Sequence, residues 1–143
     1  MTDVATGGAQ VLSSRKLIED YRETWEAVIR GSEPLTALDG YFNVPCFMVS
    51  NEGDLKLYAS QEEIRSFNQS RLDAFRAGEA HNASLRAVDV QSQGDHVSLV
   101  TVNWELTRQD VSLERAWRHY YTVLASPDVQ VPKIIVSAFQ TGS

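Results

Sequence analysis

Residues 79–139 read EAHNASLRAVDVQSQGDHVSLVTVNWELTRQDVSLERAWRHYYTVLASPDVQVPKIIVSAF, and this stretch decides the architecture. Every turn signal in it is a strand connector: Gln93-Gly94-Asp95, then Arg108-Gln109-Asp110, then Ser126-Pro127-Asp128. The runs between them are rich in β-branched and aromatic residues and are about ten residues long, so the stretch predicts four long antiparallel strands in succession. Along Val97 to Leu106, the residues Val100, Val102 and Trp104 alternate onto one face while Leu99 lies on the other. Apolar groups on both faces predict a sheet covered at least partly on both sides.

Upstream the apolar period changes. From Ser14 to Arg30, Leu17, Ile18, Tyr21, Trp25, Val28 and Ile29 recur at three- and four-residue steps, one helical stripe ended by Gly31. Ser32 offers a cap oxygen and Pro34 fits a first helical turn, which predicts a short second helix to Asp39 that Gly40 terminates. Asn43 to Asn51 and Leu55 to Tyr58 then read as two strands joined by the turn Asn51-Glu52-Gly53-Asp54. Ser60 and Glu63 form a capping box ahead of a third helix with the stripe Ile64, Phe67, Leu72 and Phe75, closed by Gly78. Neither an internal repeat nor a low-complexity segment interrupts this order.

Composition narrows the class. A chain of 143 residues with 43% hydrophobic and 22% charged residues predicts a single globular domain, residues 13–143, and a flexible N-terminal tail, residues 1–12, rich in small residues such as Gly7 and Gly8. Cys46 is the sole cysteine, so no intrachain disulfide can form, and a cytoplasmic location is expected. A net charge of −6 with 13 scattered Lys and Arg disfavours a phosphate-binding surface, so neither nucleic acid nor an acidic membrane is expected as a partner. No stretch approaches the roughly 18 apolar residues of a membrane span, and no targeting signal is visible.

The order helix, helix, hairpin, helix, four strands, together with Tyr21-Arg22-Glu23-Thr24-Trp25, Tyr41-Phe42-Asn43-Val44-Pro45, Arg118-His119-Tyr120-Tyr121-Thr122-Val123 and Lys133-Ile134-Ile135-Val136, resembles the nuclear transport factor 2-like superfamily. That superfamily includes ketosteroid isomerases and SnoaL-like polyketide cyclases, and the resemblance covers Ser14 to Phe139. It implies an α+β cone, with three N-terminal helices packed on a strongly curved mixed or antiparallel sheet. It also implies a hydrophobic small molecule in the wide end and a homodimer through the outer sheet face.

Ketosteroid isomerase chemistry needs a carboxylate base on the first strand and a protonated acid beside a tyrosine. The stretch Val44 to Ser50 holds no Asp or Glu, and neither does Trp117 to Thr122. Trp25 or a neighbour falls at the position of the helix-one tyrosine, with Tyr21 one turn away. A different acid–base reaction would draw on His119, the one candidate whose ordinary pKa suits proton transfer near neutrality, with Tyr21 as its catalytic partner and Tyr121 as a further donor. Pairing Glu105 with Arg115 would set Asn103 opposite Trp117 and Thr101 opposite His119, making one polar and aromatic surface from Asn103, Trp117, His119 and Tyr121. Trp25 and Phe67 would close it from the helices as further substrate-binding residues.

Each feature also has a plain packing explanation. A histidine among aromatic strand residues fits hydrogen-bonded core, Glu105 against Arg115 fits an exposed ion pair, and the tryptophans fit core or interface. Cys46 fits a buried, unreactive thiol. His81, His96 and His119 lack the short spacing of a zinc site, so no metal and no cofactor are expected. The functional readings are an isomerase, cyclase or dehydratase acting on a hydrophobic molecule, a binder that encloses such a molecule unchanged, and a dimerisation domain.

Overall fold

The computed structural model describes residues 2–125 and 131–140; the expected turn Ser126-Pro127-Asp128 lies outside the described residues. Helix α1 spans Thr2–Arg30. Its Leu17, Ile18, Tyr21, Trp25, Val28 and Ile29 are all buried, as one face of a 3.6-residue repeat requires. The helix starts well before Ser14, so most of the stretch expected as a tail is helical from Thr2. Gln10 is buried and its amide donates to the Val97 carbonyl and, at 3.1 Å, to Ser98 Oγ, which fastens this turn to the sheet. Gly31, with φ of 81°, ends the helix in the left-handed region.

The second helix is a 3-10 helix, Leu35–Tyr41, opened by Pro34 in extended backbone with no side-chain cap. Ser32 does not cap it, because the Ser32 hydroxyl turns back to the Ala27 carbonyl at 3.3 Å. Strands β1 (Phe42–Val49) and β2 (Leu55–Tyr58) form the expected hairpin, with Cys46 opposite Tyr58 and Val49 opposite Leu55. Helix α2 (Gln61–Ala77) is capped by Ser60, whose Oγ accepts from the Glu63 amide at 3.2 Å. The Glu63 carboxylate reaches back to the Ala59 amide rather than to Ser60 itself, at 3.3 Å.

Strands β3 (Asn82–Gln93), β4 (Val97–Thr107), β5 (Leu113–Leu124) and β6 (Lys133–Phe139) follow. The six-stranded sheet has the order β2-β1-β6-β5-β4-β3, and β1 runs parallel to β6 while all other neighbours are antiparallel. Register shifts interrupt β1–β6, β3–β4, β4–β5 and β5–β6. Extra residues of this kind bend a strand and increase its twist, and the sheet curls without closing.

The α helices lie against the concave face. On β4 the residues Ser98, Val100, Val102, Trp104 and Leu106 are buried and every intervening residue is half-buried, a strict period of two. Leu99 points to the other side, where it is half-buried although no helix among the described residues packs over it, so the expected cover on both faces is not provided by this chain's helices.

Candidate functional site

A cavity opens between the helices and the concave face. Tyr21, Trp25 and Ile29 of α1 form one wall, and Phe67, Arg71 and Phe75 of α2 form a second. Trp104 and Leu106 of β4, Trp117, His119 and Tyr121 of β5, and Ser137 of β6 complete it. The aromatic rings occupy most of the room. Trp104 stacks on Trp117 with centroids 5.8 Å apart and planes 13° apart, Phe75 stacks on Trp117 at 6.1 Å, and Tyr21 meets Tyr121 edge-on at 5.8 Å. About 10 Å³ of cavity remains, space for roughly one water.

Six residues singled out from the sequence, Tyr21, Trp25, Phe67, Trp117, His119 and Tyr121, meet around this space. Asn103 does not. Its strand pairs one residue out of the expected register, with Asn103 opposite Arg118, Trp104 opposite Trp117 and Val102 opposite His119. Because side chains alternate, a slip of one moves Asn103 to the outer face, where its Oδ1 accepts from Arg118 Nε at 3.1 Å. The same slip separates Glu105 from Arg115. Glu105 sits 3.9 Å from Arg86, and Arg115 pairs with Glu114 at 2.7 Å.

Two indole N–H groups organise the polar atoms. Trp104 Nε1 donates to Tyr121 Oη at 2.8 Å, and Trp117 Nε1 donates to His119 Nδ1 at 3.1 Å. An indole nitrogen can only donate, so Nδ1 must carry the lone pair and Nε2 the proton in a neutral ring. His119 Nε2 then donates to Ser137 Oγ at 2.7 Å. Burial, followed by the charge of Arg71, holds His119 well below its ordinary pKa of 6.5. Its only basic lone pair is already occupied. Burial likewise pushes the Tyr21 phenol up to about 12 and the Tyr121 phenol well above its usual value, so both keep their protons.

Arg71 was missed by sequence reasoning, although the signal was present: it stands four residues after Phe67 and four before Phe75, inside the apolar stripe of α2. Its guanidinium lies over four rings, at 4.5 Å from the centroid of Phe139, 5.3 Å from Phe75, 5.4 Å from Trp117 and 5.6 Å from Phe67. Burial lowers its pKa, but an arginine stays charged in a folded protein. Among the described residues no carboxylate or carbonyl bonds to it. Arg71 is half-buried and also borders an open groove, so water shares its solvation with ring contacts worth about 0.5–2 kcal/mol each.

No Asp or Glu lines the cavity. The hydroxyls of Tyr21, Tyr121 and Ser137 and the N–H groups of Arg71 are what it presents to a guest. Cys46 is buried in the core instead, and burial pushes its thiol up to about 12. Among the described residues no three His, Cys, Asp or Glu side chains cluster as metal ligands, and no helix is long and apolar enough to cross a membrane.

A curled six-stranded sheet with helices over its hollow face and an aromatic cavity between them defines the nuclear transport factor 2-like class of α+β proteins. The family model described as "NTF2-like protein (DUF6841)" matches residues 13–138, and the chain belongs to that family. The fold is shared with an NTF2-like protein of unknown function from Shewanella oneidensis, at 13% identity and a TM-score of 0.65 over 91% of this chain and 97% of that one. The yeast UBP3-associated protein BRE5 superposes with a TM-score of 0.64 at 16% identity, covering 91% of this chain and 95% of its own. Aln2 from a Streptomyces species gives 0.66 at 10% identity, over 90% of this chain and 88% of its own. No curated protein matches the chain in sequence.

Proposed function

We propose that this chain binds an aromatic or otherwise apolar small molecule in the cone and does so without a resident general base. One observation carries the reading: the cavity is walled by aromatic rings and by groups that donate hydrogen bonds, while the lone pair of its only histidine is taken by Trp117. A benzene-sized guest needs on the order of 150 Å³, far more than the space left, so entry requires the α2 side chains Phe67 and Arg71 to swing outward. Phe67 is held by an edge contact to Tyr58 and Arg71 by ring faces, with no hydrogen bond among the described residues to break.

All three tryptophans of the chain line this cavity, so intrinsic fluorescence reports directly on occupancy. Naphthalene-sized aromatics should quench it and raise the melting temperature. Bound ligand at a hundred times its Kd adds about 2.7 kcal/mol of stability. Silence in both measurements across neutral and charged aromatics would remove the reading.

A second reading keeps the pocket and adds chemistry of the isomerase, cyclase or dehydratase kind. Tyr21 and Tyr121 are protonated donors in a water-poor site, the equipment for stabilising a developing oxyanion if substrate or water supplies the base. Tyr21→Phe and Tyr121→Phe, assayed on enolisable aromatic substrates, test it; turnover equal to the unaltered protein takes both roles away.

A further inference from the structure

We infer that the guest of this cavity is an anion, specifically the carboxylate of an aromatic or apolar acid, received by Arg71. The inference rests on the pocket reading above and narrows it to a ligand class. Arg71 stands where two spaces meet, because it lines both the inner cavity and an open groove of about 1220 Å³. An arginine on the apolar stripe of a helix is normally matched by an acid. Here the groups around it are rings, and its cationic neighbour Arg115 is already paired with Glu114. The groove also carries Arg86, Arg115 and Arg118, but Arg86 and Arg115 face Glu105 and Glu114 and Arg118 donates to Asn103, so among the described residues Arg71 is the groove arginine left without an acceptor.

The other walls agree in sign. With the Tyr121 oxygen accepting from Trp104 and the Ser137 oxygen accepting from His119, these hydroxyls still have a proton to give. A guest rich in acceptors satisfies them, whereas an amine would face donors on every side. A single guanidinium matches a monoanion through two parallel N–H···O bonds, and the absence of any lysine from the lining argues for carboxylate over a doubly charged phosphate. The ring layer from Phe67 to Trp117 then takes the apolar body of the acid.

The test compares benzoate and naphthoate with their neutral amides, titrated into the full chain by calorimetry and tryptophan quenching. Each acid should bind at least tenfold tighter than its amide. Arg71→Met should abolish that preference, bringing acid and amide to equal affinity, and Arg71→Lys should retain part of it, since charge survives but the planar fork does not. Equal affinity for acid and amide in the unaltered protein, or an acid preference that persists in Arg71→Met, overturns the anion assignment and leaves the pocket standing. Failure of acids and amides alike overturns the pocket reading itself. If Arg71→Met does not fold, the acid-to-amide ratio of the unaltered protein and of Arg71→Lys decides the matter.

Discussion

Two indole nitrogens fix what His119 can do. Trp117 forces the imidazole into one neutral tautomer, and protonating Nδ1 would set two donors against each other inside a buried site that already holds Arg71. A consequence for stability follows. The unfolded chain takes up a proton near pH 6.5 and the folded chain resists it, so the contribution of His119 is complete above that pH and is lost as the pH falls below it. The slope is up to about 1.4 kcal/mol per pH unit until the folded pKa is reached. His119→Gln, which can still accept and donate, should lower stability overall yet flatten its dependence between pH 7 and pH 5. Urea unfolding across that range measures the two slopes; identical slopes would show that the imidazole titrates freely.

At the level of elements, α2 is one wall of the site. It supplies Phe67, Arg71 and Phe75 to the cavity, and its first turn is held by the Ser60 hydroxyl. Ser60→Ala should cost about 1 kcal/mol in equilibrium unfolding, the usual value of an N-cap; no loss would mean that packing of Ile64 and Leu72 alone holds the turn. This cap and the helical stripes were legible in the sequence because spacing encodes them locally. The β4–β5 register was not. After Leu106 opposite Arg115, the ladder resumes with Thr107 opposite Leu113, so an extra residue is absorbed beside a turn in which Val111 takes a φ of 63°. Turn composition at Arg108-Gln109-Asp110 marks the reversal but not the residue that bulges, and that single position decided the side of the sheet on which Asn103 falls. The parallel β1–β6 pairing was equally hidden, since it joins strands far apart in the chain whose own patterns are silent on direction. Arg71 escaped for another reason: residue type argued for solvent while position argued for the core, and the half-buried side chain satisfies both.

For the whole molecule, the open question lies on the side of the sheet away from the cavity. Leu99, Thr122 and Val136 stand in register across β4, β5 and β6, with Thr101, Tyr120 and Ala138 forming the next row. These residues are half-buried, and α1 and α2 both pack on the opposite face, so among the described residues no helix covers them. An unpartnered, weakly charged sheet centre of this kind is most simply covered by a second copy, because a two-fold axis brings the same rows together from both sides. We propose that pairing, and it makes a specific demand. Sedimentation at tens of micromolar should give a dimer, and Leu99→Arg should convert it to monomer by placing a charge in the middle of each facing row. Binding of aromatic acids should be unchanged in that variant, since Leu99 and Val100 point to opposite faces and only the latter belongs to the buried core. A monomer for the unaltered chain at that concentration removes the pairing; a monomeric Leu99→Arg that also loses the ligand would mean the two faces of the sheet are coupled and that the cone needs its partner to hold its shape.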